Sequence, residues 1–115
     1  MYTELHARSA FSFHRGASQP EALVHRAAGL AYPAIAITDR DGVYGSARAH
    51  AAATETSSTH HITGAEITLE DNTALPLLVA TRSGYQNLCR MLTRAKLRAP
   101  KNESRVTYTL SLIHI

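Results

Sequence analysis

Apolar positions along the chain follow two rhythms, and the places where one gives way to the other mark out its elements. The run Ala34-Ile-Ala-Ile-Thr38 lies between Pro33 and Gly42 and is too short for an isolated helix, so it reads as a strand of a parallel sheet covered on both faces. A first strand is expected over residues 3–7 and two more over 60–69 and 74–80, the last pair joined into a hairpin by the turn Glu70-Asp-Asn-Thr73. Helical spacing fills the gaps. Ser18-Gln-Pro-Glu21 has the form of a capping box with Pro just after the cap, which predicts a helix to about Leu30. An Ala-rich helix is expected over residues 44–54, and a third from Ser83 with Tyr85, Leu88, Met91, Leu92 and Ala95 facing inward. This β-α-β-α order, then a hairpin and a helix, predicts an α/β fold built on a parallel sheet or barrel.

Strand ends are where such folds place their ligands, and three of them carry suitable side chains. Asp39 and Asp41 follow the Ala34 strand in Thr38-Asp-Arg-Asp-Gly42. In the first strand, alternation sends His6 and Arg8 to one face, and a second imidazole at that spacing would make a metal pair that His-x-Arg cannot. In the third, Gly64 allows close approach beside Glu66, a candidate oxygen ligand. The remaining histidines carry less: His14, His25 and His50 read as solvated, adjacent His60 and His61 point to opposite faces, and His114 lies in the tail.

Composition narrows the class. With 115 residues, 44% hydrophobic and 18% charged, the chain is long enough for one small domain with a modest core. Cys89 has no partner for a disulfide, there is no apolar run long enough to span a membrane, and no signal sequence is apparent, so a cytoplasmic setting is expected. The formal charge of +3 is a mild bias towards polyanions. Its distribution says more. Arg90, Arg94 and Arg98 recur every four residues on one helix face, a stripe that fits either a phosphate backbone or a solvated surface.

Four segments in order carry a resemblance. Leu5-His-Ala-Arg-Ser9 with Phe11-Ser-Phe-His-Arg-Gly-Ala-Ser18, then Ile37-Thr-Asp-Arg-Asp-Gly-Val-Tyr-Gly45, Gly64-Ala-Glu66, and Ser83-Gly-Tyr-Gln-Asn-Leu-Cys-Arg-Met-Leu-Thr-Arg94 resemble the N-terminal PHP domain of bacterial C-family DNA polymerases (the polymerase III alpha-subunit type), most closely the error-prone branch. The likeness covers residues 1–101, a partial PHP domain; residues 102–115 have no counterpart and are expected to be a foreign tail of a truncated fragment, with an edge strand as the alternative. The resemblance implies an irregular seven-stranded (β/α) barrel, of which this chain would supply the first half with its extra hairpin.

It also implies a metal site with two departures. His6, Asp39 and Glu66 match ligand positions of a zinc- or manganese-type phosphoesterase cluster, whereas Arg8 and Arg40 stand where two further histidines would be. A guanidinium offers no lone pair and repels a divalent ion, so the cluster is expected to be vestigial, with Arg8 and Arg40 paired to Asp39, Asp41 and Glu66 in its place. The implied function is a structural PHP module of an error-prone polymerase. DNA, translesion and repair factors would be partners of the whole enzyme, Mg²⁺ would serve its nucleotidyl transfer, and no catalytic residue would lie in this chain. The alternatives are a metal-dependent phosphoesterase, either a 3′ exonuclease or a histidinol-phosphate-type phosphatase, and a non-enzymatic docking module.

Overall fold

The computed structural model describes residues 2–100 and 104–106. Strands β1 (Glu4–Ala7), β2 (Ala34–Arg40), β3 (His60–Thr68) and β4 (Ala74–Leu78) form one sheet in that order, with helices α1 (Pro20–Gly29), α2 (Ser46–Thr56) and α3 (Arg82–Arg98) between and after them. The first three strands are parallel and β4 returns antiparallel to β3, so the α/β half-barrel with an added hairpin is present as the periodicity predicts. Most of the alternation expected in the tail, and His114, fall outside the described residues.

Register assigns the two faces. Ile35 and Ile37 of β2 lie beside His61 and Thr63 of β3, and Asp39 beside Ala65, which puts these odd-numbered positions on one face. That face carries the core. Val24 and Ala27 of α1 and Ala49, Ala52 and Ala53 of α2 pack on Ile35 and Ile37, and the small side chains let the two helices approach each other and the sheet closely. Leu88, Met91, Leu92 and Ala95 of α3 pack on Ala65, Ile67 and Leu69. Fully burying a side chain such as Ile37, Ile67 or Met91 contributes roughly 1.5–3 kcal/mol. The opposite face pairs Thr38 with Gly64 and Arg40 with Glu66. A Cβ at Gly64 would sit 2.5 Å from the Leu77 carbonyl and 2.9 Å from Thr38 Cγ2, so the close approach expected of this glycine is real.

Three local expectations are corrected. The capping box does not form: the cap of α1 is Gln19, without a side-chain cap bond, and the Ser18 carbonyl accepts from Ala10 N at 2.7 Å. Pro20, buried at the first position, presets the helix instead. α2 begins at Ser46 because residues 41–45 turn, with Asp41 in the left-handed region at φ 53. Tyr85 is exposed, because the inward stripe of α3 runs from Gly84 through Leu88, Met91 and Ala95, and Tyr85 stands beside it. Thr81 caps this helix by accepting from Gly84 N at 3.0 Å.

Val106 belongs to the second core. It is fully buried, forms a parallel bridge with Leu69, donates from its N–H to the Thr68 carbonyl at 2.9 Å and accepts from Glu70 N at 3.1 Å. Near the start of β3, His61 is also buried, and its Nε2 has no hydrogen-bond partner among the described residues. Burial, with positive charge on His50 and His60 nearby, lowers its pKa from 6.5 to about 4.

Two outcomes are expected from urea unfolding. Val106→Ala should cost roughly 1–3 kcal/mol; an unchanged midpoint would mean that this segment does not dock on β3. For His61 the folded state holds the proton less tightly than the unfolded chain, so stability is complete above pH 6.5 and falls between pH 6.5 and about 4. The loss is on the order of 3 kcal/mol, and His61→Leu should flatten that part of the stability-versus-pH curve.

Candidate functional site

The polar groups gather at the carboxyl ends of β1, β2 and β3. β1 carries one extra residue against β2, three steps from Glu4 to Ala7 matching two from Ile35 to Ile37, and this bulge precedes the loop that crosses the strand ends. The loop is tightly wound: Ser12 N donates to the Ser9 carbonyl at 3.0 Å, and Arg15 N and Gly16 N donate to the Ser12 carbonyl at 3.0 and 3.1 Å. A side chain at Gly16 would collide with the Ser9 and Arg8 carbonyls, so only glycine lets the backbones touch there.

Glu66 is the centre. It is 1% exposed and accepts on Oε2 from Arg8 Nη2 at 2.6 Å and Arg8 Nε at 3.0 Å, with His6 Nε2 2.7 Å from the same oxygen. Arg15 Nη1 reaches Oε1 at 3.3 Å. Burial alone would push the Glu66 carboxyl up, but hydrogen bonds and charge from Arg8 and His6 outweigh it and hold the pKa below the usual carboxylate range. The alternation that sends His6 and Arg8 to one face therefore does bring both to Glu66.

The two aspartates do structural work. Asp39, 1% exposed, accepts from Ser9 N at 2.7 Å and Ser12 Oγ at 2.8 Å on Oδ1, and from Ser9 Oγ at 2.7 Å on Oδ2. Ser12 Oγ in turn accepts from Arg40 N at 3.0 Å, so one carboxylate ties the loop to the end of β2. Asp41 N donates to the Glu66 carbonyl at 2.7 Å, and its carboxylate accepts from Thr68 N and Oγ1, each at 2.9 Å. Arg40 Nε lies 3.6 Å from Asp41 Oδ2, its side chain about half exposed.

The single network expected from Arg8, Arg40, Asp39, Asp41 and Glu66 thus divides. Arg8 pairs with Glu66 and Arg40 loosely with Asp41, while Asp39 is held by hydroxyls and a backbone N–H. Strand parity is the reason: Asp39 and Arg40 are neighbours on β2 and face opposite ways. The same parity separates Asp39 from His6 and Glu66, and among the described residues no group of three or more His, Cys, Asp and Glu is placed to hold a metal ion. Glu66 Oε2 and both Asp39 oxygens are engaged by protein donors.

Ser9, Ser12 and Arg15 are site residues that the sequence reading did not single out. Ser12 and Arg15 stand inside the Phe11–Ser18 motif, but nothing in their spacing shows that the loop folds back onto Asp39 and Glu66. Arg90, Arg94 and Arg98 are all exposed along α3. His14, His25, His50 and His60 are exposed too, and His60 and His61 do face opposite ways.

Comparison with known proteins places the chain in a family. The PHP domain family model matches residues 4–113. The chain is 48% identical over 105 residues to an error-prone DNA polymerase of Pseudomonas aeruginosa, covering 91% of this chain and 10% of the relative. It is 45% identical over 106 residues to that of Methylococcus capsulatus, covering 92% and 10%. It thus spans about a tenth of the length of these relatives. Among solved structures it is similar to a protein from Bifidobacterium adolescentis assigned as a metal-dependent phosphoesterase, with TM-score 0.62, 25% identity, and coverage of 84% of this chain and 34% of the other. An amidohydrolase from Chromobacterium violaceum, with bound sulfate and no metal, gives TM-score 0.65 with the same identity and coverage.

Replacing Glu66 tests the centre. Because its folded pKa is lowered, the pairing stabilises the fold above the ordinary value of 4.5 and is lost as pH falls through the lower folded value. Glu66→Gln should cost about 2 kcal/mol at neutral pH and flatten the acid limb of the urea-midpoint profile. A variant as stable as the parent, with the same acid limb, would show that these pairs contribute nothing net.

Proposed function

From the premise that this chain belongs to the PHP domain family, we propose that it serves as a structural PHP module of an error-prone DNA polymerase, its metal cluster replaced by fixed guanidinium charge. The observation that carries the reading is Arg8 Nη2 at 2.6 Å from Glu66 Oε2, a cation seated on the carboxylate that would otherwise be a ligand. Arg15 adds a second cation to the same carboxylate. A guanidinium is a fixed cation, so this charge is independent of metal supply.

The proton chemistry is consistent with this. A carboxyl held below its usual range and fully engaged is a poor general acid at neutral pH, and its lone pairs are occupied for use as a base. Asp39 is spent on holding the loop. In this reading the chain contributes no catalytic group to DNA synthesis. Nucleotidyl transfer with Mg²⁺, in lesion bypass and repair, belongs to the polymerase as a whole, and the exposed Arg90, Arg94 and Arg98 stripe is its contact with the DNA backbone or with an accessory protein.

The proximity of His6 Nε2 to Glu66 Oε2, 2.7 Å, favours a second reading, a phosphoesterase that uses a metal at a reduced ligand set. Calorimetric titration with zinc and with manganese separates the two. The parent chain should show no stoichiometric binding, and Arg8→His/Arg40→His, which restores donors on the Glu66 face of β1 and β2, should gain it. Tight stoichiometric binding by the parent would overturn the structural reading and favour the phosphoesterase.

A further inference from the structure

Beside the mouth of β2 lies a cleft of ≈ 720 Å³ that the Glu66 site does not use. Its walls are Phe11 and Phe13 from the loop, Tyr44 from the turn before α2, and the cations Arg40, Lys96 and Arg105. Among the described lining residues three cations face one carboxylate, Asp41, which accepts from Thr68 and lies 3.6 Å from Arg40 Nε, so the lining carries net positive charge. It also offers a buried hydroxyl: Ser104 is 2% exposed, and its Oγ has no hydrogen-bond partner among the described residues.

The aromatic rings are unusually open for such a place. Phe13 is 78% and Tyr44 53% exposed. Tyr44 stacks one side against Gly42, where any side chain would run into the ring, and this backing holds it upright. Lys96 Nζ is 2.7 Å from the Tyr44 hydroxyl and 5.4 Å from the ring centroid, distances that put the ammonium beyond the hydroxyl end and not over the ring face. Phe11 differs, since Arg48 already lies over it at 5.6 Å.

We propose that this cleft binds a nucleotide unit, its base stacked on Phe13 and Tyr44 and its phosphate held by Arg40, Lys96 and Arg105, with Ser104 Oγ as a hydrogen-bonding partner. Open planar rings select a planar ligand, and cations on the same walls select an anionic one; a nucleotide of single-stranded DNA, or a free nucleotide, is both. The inference rests on the cleft's own residues, of which Arg40 is shared with the strand ends.

The chain has no tryptophan, so Phe13→Trp introduces a unique reporter. Short oligothymidylate added at low salt should quench its fluorescence saturably. Phe13→Ala should weaken binding of the labelled oligomer about tenfold with the salt dependence unchanged, because stacking carries no charge. Arg105→Ala should lower both affinity and salt slope. Thymidine monophosphate as tight as the oligomer assigns the site to free nucleotides, and a much tighter oligomer assigns it to a strand. The proposal is overturned by no quenching, by Phe13→Ala binding like the parent, or by equal displacement with an oligoglutamate. It is overturned equally if loss of Arg90, Arg94 and Arg98 abolishes binding while Phe13→Ala does not.

Discussion

A carboxylate cut off from water must be paired or neutralised, and Glu66 meets that constraint with side chains that start far away in the sequence. Arg8 and His6 come from the first strand and its end, Arg15 from the loop beyond it. Each reaches Glu66 only if β1 lies beside β2, β2 beside β3, and the loop crosses the strand ends. The ion pairs and the sheet order therefore support each other: loss of the carboxylate's charge leaves clustered cations, and loss of the loop leaves a buried charge with fewer partners.

Asp39 completes that dependence from the other face. Its bonds to Ser9 and Ser12 hold the loop that delivers Arg15, and Ser12 passes the connection back to the Arg40 backbone. Asp41 does the same for β3 through Thr68 and the Glu66 carbonyl. The three acids at the strand ends are held by hydroxyls, backbone N–H groups and guanidinium. These bonds tie the strand ends together, with Arg8, Arg15 and Arg40 set against Asp39, Asp41 and Glu66. The adjacent cleft, with its open rings, sets Arg40, Lys96 and Arg105 against Asp41.

Much of this was legible in the residues. Strand and helix order followed from period-2 and helical spacing because periodicity is a local property that burial on one side imposes on any sheet or helix. His6 and Arg8 on one face, Gly64 as a point of close approach, and the inward stripe of Leu88, Met91, Leu92 and Ala95 follow from the same rule. The family likeness was legible over residues 1–101, and the PHP family model matches residues 4–113.

What only the tertiary structure decided is which of these groups meet. Spacing cannot tell that Ser9 and Ser12, rather than an arginine, satisfy Asp39, or that Arg15 joins Glu66 across fifty-one positions. Nor can it tell that Tyr85 stands outside the core while Val106 lies inside it. Those outcomes depend on the register between strands, on the path of a loop, and on where a helix crosses the sheet. The sequence by itself determined the elements, their faces and the acids at their ends, because these answer to local alternation; the partners of each acid were left to long-range packing, which no local pattern encodes.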